Sequence, residues 1–297
     1  MSYSQRATKS EDAAVVAELV HACDAAVVDD PERGSEQDVL DWWRRLVDGG
    51  NTVVETDGGV ITGYGAVMKD GPVYAAFNFV HPDHTGRGIG SLLLGWSEEL
   101  ACSHGVETLR ASVVGPNPAA VELLEACGYR YLRSSYRMVI DLDGPPPSPK
   151  WPAGFELATL RAGEERALHA TLEEAFADHW DFHPSSFEEW SERKRDPSLC
   201  FLVREGDEIV AAEACQEERF GMGWIGALGV RPRWRRRGLG RALLLHAFGE
   251  LYARGQRRIG LGVDAENTTG AVGLYERAGM RTAWQADIYE RKLAPVP

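Results

Sequence analysis

RRRGLGRALL, Arg235 to Leu244, packs three arginines against two spaced glycines and then runs into a leucine-rich stretch. Glycines at 238 and 240 remove side chains that would keep a ligand from the backbone. The first N–H groups of the helix that follows have no intrahelical partner and lie at its positive end. Such a turn is an anion socket. Three occupants compete for it: a nucleic acid backbone, the phosphates of a small cofactor, or none, the loop being a basic surface turn.

Composition weighs against the first. The 297-residue chain carries 32 Lys+Arg against 45 Asp+Glu, a formal charge of -13, so its overall field repels polyanions. A basic loop in an acidic protein reads as a local anion site, with no nucleic acid partner. The 44% hydrophobic content is enough for substantial cores. The five cysteines, Cys23, Cys102, Cys127, Cys200 and Cys215, are scattered and form no C-x-x-C pair, which predicts reduced thiols rather than a disulfide frame or a zinc site. MSYSQRATKSED is polar, without the apolar core of a signal peptide, and no apolar run is long enough to span a bilayer. These features predict a soluble, cytoplasmic protein without a membrane partner.

The loop occurs twice. Val80, Pro82, Gly88, Gly90, Leu93 and Leu94 recur as Val230, Pro232, Gly238, Gly240, Leu243 and Leu244, each displaced by 150 positions. Downstream, Asn117 to Tyr129 answers Asn267 to Met280, the offset slipping from 150 to 151. Between the halves the prolines of DLDGPPPSPKWPAG favour an extended, semi-rigid spacer. Two related domains are expected at 1–141 and 154–297, joined by a linker at 142–153. In the second half, periodicity predicts strands at 155–160, 200–205, 208–217, 223–230 and 257–263, and a final strand. It predicts helices at 163–176, 185–195, from the glycine loop to about 254, and 268–278. The fold class is α/β with mixed sheets, the anion loop joining a strand to a helix amino terminus.

The loop is no Walker motif, since G-x-x-x-x-G-K-[ST] is absent, and the full G-x-G-x-x-G dinucleotide fingerprint is missing. Arg235-x-x-Gly238-x-Gly240 follows the strand WIGALGV and precedes N-x-x-x-x-x-x-x-Y-E-x-x-G. In these features the chain resembles the GNAT superfamily of acyl-CoA-dependent N-acetyltransferases, once per half. The resemblance implies that Arg235 belongs to the CoA motif, and that the backbone amides of Arg236, Arg237, Gly238, Leu239, Gly240 and Arg241 cradle the CoA pyrophosphate. It implies that Leu228, Gly229 and Val230 pair with the pantetheine arm, the Leu228 amide aimed at the thioester carbonyl, where it gains strength as an oxyanion forms. It places Tyr275 as the hydroxyl that protonates the departing thiolate, and Asn267 against the CoA arm. A phenol of pKa about 10 is a plausible donor to a thiolate of about 8.5. Tyr275 could instead be a core ring, and Asn267 a helix N-cap.

The group that deprotonates the amine is less defined. Glu213 interrupts the apolar strand IVAAEAC and is the best-placed carboxylate, although strand alternation favours an outward, solvated side chain. Asp178, His179, Asp181 and His183 crowd AFADHWDFHP, where the family builds its acceptor pocket. They have no fixed metal-ligand spacing, and acyl transfer needs no metal. The segment is similar to that of the tandem mycothiol synthase group, which acetylates a cysteinyl amine. Where that group is expected to carry an acidic residue, this chain has Trp224.

In the first half, Thr85 stands for Arg235 and Leu124 for Tyr275, while Val80, Arg87, Gly88 and Gly90 are kept. That half is expected to retain a CoA-binding loop without catalysis. The leading reading is an N-acetyltransferase using acetyl-CoA and a small-molecule amine. An acyl-CoA sensor without turnover is the alternative.

Overall fold

The computed structural model describes residues 2–192 and 195–294. They form two compact units, one of residues up to Tyr136 together with those from Ala283 onward, the other of Arg137–Thr282.

The first unit runs β1 (Tyr3–Ala7), α1 (Ala13–Ala25), α2 (Glu36–Trp43), β2 (Leu46–Thr56), β3 (Ile61–Asp70), β4 (Val73–Val80), α3 (Ile89–Ser103), β5 (Thr108–Val114), α4 (Pro118–Ala126) and the first half of β6 (Arg130–Asp141). The second continues from β6 through β7 (Glu156–Thr159), α5 (Glu165–Phe176), α6 (Phe187–Ser191), β8 (Cys200–Glu205), β9 (Glu208–Arg219), β10 (Met222–Val230), α7 (Leu239–Ala253), β11 (Arg258–Asp264) and α8 (Ala271–Arg277). The last strand, β12 (Arg281–Lys292), returns to the first unit and pairs antiparallel with β5, Ala286 opposite Val114 and Lys292 opposite Thr108. The helix expected at 185–195 is the short α6; residues 193 and 194 lie outside the described residues.

Each unit is a mixed sheet with helices on both faces. β7, β8, β9 and β10 are antiparallel neighbours, and β10 then runs parallel to β11. In the first unit β1 to β4 are antiparallel, and β4 runs parallel to β5.

Sequence dictates α7 locally. Gly238, at φ 87°, turns the chain into the helix, and Leu243, Leu244, Phe248 and Leu251 are fully buried. Each such side chain contributes about 1.5–3 kcal/mol of burial. Gly255, at φ 97°, ends the helix, its N–H donating to Tyr252 O and that of Gln256 to Leu251 O. Residues 142–153 contain no helix or strand and lie along α7, the Trp151 ring 6.3 Å from that of His246. No helix among the described residues is long and apolar enough to cross a membrane.

Candidate active site

β10 and β11 pair only at Gly223↔Ile259 and Trp224↔Gly260. Past Trp224 they separate, after a bulge between Ile225 and Ala227 in the β9–β10 register. Arg231 N–H donates to Val210 O, so alternation directs the amides of Leu228 and Val230 away from β9, toward the edge that β11 has left. An edge that leaves the Leu228 N–H and C=O and the Val230 N–H outside the ladder, with Val230 O taken by Arg235 Nε, is a template for an extended ligand.

The anion loop begins where that edge ends. Among the described residues the backbone bonds pass from Arg235 N–H, donated to Pro232 O, to Ala242 N–H, donated to Gly238 O. The six amides from Arg236 to Arg241 between them have no backbone acceptor. Arg236 (φ 64°) and Gly238 (φ 87°) are both left-handed, an alternation that turns successive amides toward one side. The two glycines serve different ends. Gly238 supplies the left-handed turn, whereas a Cβ at Gly240 would lie 3.3 Å from Leu274 Cδ2 and 3.9 Å from Leu228 Cδ2 and Val230 Cγ2. Gly240 lets α7 pack against β10 and α8, a demand on that position that its spacing did not reveal.

Arg235 does not point its guanidinium into the loop. Its Nε donates to Val230 O at 3.1 Å, its Nη2 to Ala175 O at 2.9 Å, and both terminal nitrogens to the Asp178 carboxylate. It ties the strand end to the last turn of α5 and, by its hydrogen bonds first and its charge second, lowers the Asp178 pKa. Asn267 Oδ1 accepts from Thr269 N at 2.9 Å, Thr269 Oγ1 at 2.6 Å and Ala271 N at 3.3 Å, a cap over the start of α8.

Glu213 is fully buried, not outward. Alternation fails because α5 and α7 cover β9 on its two faces, as for any strand without a solvated side. Neither carboxyl oxygen has a hydrogen-bond partner among the described residues, and burial raises the pKa well above the usual carboxylate range. Glu213 faces Leu228 across the β9–β10 ladder, on the side packed by α7. Tyr275, 8% exposed on α8, is pushed up to about 12 by burial and by the charge of Glu213. The two proton-bearing groups share one face of the sheet.

The other face belongs to α5. A Cβ at Gly229 would sit 2.7 Å from Ala175 Cβ, 3.3 Å from Leu172 Cδ2 and 3.6 Å from Phe176 Cε2. The His179 ring stands perpendicular to that of Phe176, centroids 4.7 Å apart. Asp181 and His183 contact each other at 3.2 Å, and Trp180 is 46% exposed. Reading by residue type singled out this segment without separating His179 from its neighbours; the distinguishing signal is the Phe176–His179 spacing at the end of a helix.

In the first unit the loop recurs with Gly86 (φ 71°) and Gly88 (φ 83°) left-handed, and its backbone bonds pass from Thr85 N–H to Leu92 N–H in the same manner. The Arg87 side chain is held by Tyr3 Oη and Asp83 O, each at 3.1 Å. Gly90 packs on Leu123, whose Cδ2 would be 3.1 Å from an added Cβ, and Val80 O accepts from Cys23 Sγ. Leu124 is buried on α4.

A splayed parallel strand pair, a free strand edge and a helix-capping amide run, repeated in two units, define an acetyltransferase fold. The acetyltransferase (GNAT) family matches residues 17–129 and 165–280, and the chain belongs to that family. It is a GNAT-type N-acetyltransferase built of tandem domains. It is 33% identical over 247 residues to the mycothiol acetyltransferase of Thermobispora bispora, 80% of this chain and 81% of that one. It is 32% identical over 283 residues to the mycothiol acetyltransferase of Streptomyces scabiei, 90% of this chain and 88% of that one. The solved GCN5-related N-acetyltransferase from Sphaerobacter thermophilus aligns at TM-score 0.85 with 37% identity, covering 99% of this chain and 97% of that one.

Proposed function

We propose that the second unit transfers the acetyl group of acetyl-CoA to a primary amine of a small molecule by direct attack, with no covalent enzyme intermediate. The observation that carries this reading is the open edge of β10, the Leu228 N–H and C=O and the Val230 N–H, running directly into the amide run from Arg236 to Arg241. These residues fit the thioester's two polar parts: the edge suits an extended amide chain, and the amide run at a helix amino terminus suits phosphate. Bound there, acetyl-CoA would supply the activated acyl group.

Leu228 N–H donates to the carbonyl oxygen as negative charge develops on it. Tyr275, kept protonated at neutral pH by its raised pKa, delivers a proton to sulfur as the C–S bond breaks. Cys200 and Cys215 are buried, and burial raises both thiols, so neither suits a nucleophile. The first unit is silent because Leu124 has no proton to give.

The two relatives named mycothiol acetyltransferase support a cysteinyl amine as acceptor. Trp224, buried with the Arg137 guanidinium 4.4 Å above its ring, stands at the position expected to be acidic in that group. The test is CoA release across a panel of cysteinyl glucosaminyl-inositol, aminoglycosides, polyamines, amino acids and peptide amino termini. Release with one class is expected. Tight acetyl-CoA binding without release from any amine would move the assignment to an acyl-CoA sensor.

A further inference from the structure

The acetyl-transfer reading leaves one task unassigned, the removal of a proton from the acceptor ammonium before it attacks. Glu213 is poorly placed for it. Its carboxyl is sealed beneath α7 on the face that holds Tyr275, which is the leaving-group side. An incoming amine needs a proton acceptor elsewhere along the β10 edge.

We infer that His179 is that group, taking the proton from the amine on the α5 side of the strand end. Three observations converge on its imidazole. Phe176 lies against Gly229 and carries the His179 ring edge-on, so the imidazole is one aromatic ring away from the backbone that flanks Leu228. His179 N–H donates to Phe176 O at 2.9 Å, folding the chain back at the end of α5. The ring also lies within the fields of Asp178 on its own segment, Arg235 of the glycine loop and Asp264 at the end of β11. Arg235 bonds both Val230 O at the β10 end and the carboxylate of Asp178, the neighbour of His179, so the segment that carries the imidazole is tied to the strand end.

His179 is half-buried, and its desolvation, aided by Arg235, outweighs the pull of Asp178 and Asp264 and lowers its pKa below 6.5. The ring is therefore neutral and able to accept a proton at physiological pH. Arg235 fixes the segment by its bonds to Ala175 O and Asp178, which assigns it a positioning role.

The step balances as follows. The imidazole takes one proton from the ammonium, and the freed lone pair forms the C–N bond to the thioester carbonyl carbon. The C–S bond breaks with its electron pair on sulfur, which receives the Tyr275 proton. The proton shed as the amide forms restores the phenol, and the imidazolium releases its own to solvent.

The inference rests on the acetyl-transfer reading, and one experiment separates their failures. The pH profile of kcat/KM is measured with the amine that the panel identifies, for wild type and His179→Gln, alongside acetyl-CoA affinity. His179→Gln is expected to lose about 100- to 10,000-fold in turnover and the acid limb of the profile, with acetyl-CoA affinity unchanged. As a second arm, histidine NMR of the wild-type protein should show the His179 ring titrating below 6.5. A variant with wild-type turnover and an intact acid limb overturns the inference alone, as does a ring that stays protonated throughout the pH range in which the enzyme turns over. Wild-type protein that acetylates no amine overturns the acetyl-transfer reading and this inference with it.

Discussion

The two units use one backbone plan for different ends. Leu228 pairs with Glu213; 150 positions earlier Asn78 pairs with Gly65. A Cβ at Gly65 would lie 2.9 Å from the Trp96 ring, so an indole covers the position that a carboxyl holds in the second unit. The residue matching Trp96 is His246, whose ring packs against Phe201 and Trp151. On the opposite face, Phe77 and Phe79 stand where the second unit has Ala227 and Gly229. Trp42 packs edge-on against both, and Trp43 Nε1 donates to Tyr64 Oη at 2.8 Å. The first unit therefore fills both sides of its splayed strand with aromatic rings. The second keeps small residues on one side and the proton-bearing Glu213 and Tyr275 on the other.

Four substitutions, grouped in three tests, probe the comparison in falling order of effect. Glu213 has a folded-state pKa raised above its unfolded value, so the folded protein holds that proton more firmly. Its stability contribution is full below about pH 4.5 and declines, by up to about 1.4 kcal/mol per pH unit, until the folded pKa is passed. Urea titrations at several pH values should show this slope in wild type and its loss in Glu213→Gln; equal slopes would mean that the carboxyl has a partner. In the first unit Gly65→Ala should cost about 2 kcal/mol, because the Trp96 ring must move, and a neutral result in the same titration would show slack under the indole. The smallest effect concerns the loop. Arg236 holds at φ 64° the left-handed position that Gly86 holds at φ 71°, so Arg236→Gly should raise stability, and Gly86→Ala lower it, by about 1 kcal/mol each. Thermal melts of the pair with the same sign would break the equivalence of the two turns.

Much of this was legible in residue order. The repeat marked both glycine loops, and apolar periodicity placed the strands and helices around them. What local pattern could not supply was tertiary. Glu213 looked solvated because alternation assumes one wet face, and β9 has none. Arg235 belonged to an anion motif by spacing, but its guanidinium reaches Asp178, 57 residues away. The return of β12 to pair with β5 in the first unit has no local signature, since its pairing is decided by register across the chain.

The most direct test of a single catalytic unit is single-turnover acetyl transfer with acetyl-CoA and the identified amine, comparing Tyr275→Phe with Leu124→Met. Tyr275→Phe should slow transfer by roughly ten- to a thousandfold while binding acetyl-CoA as wild type does, and Leu124→Met should leave the rate unchanged. An undiminished rate in Tyr275→Phe, or a comparable loss in Leu124→Met, would contradict the assignment of catalysis to the second unit.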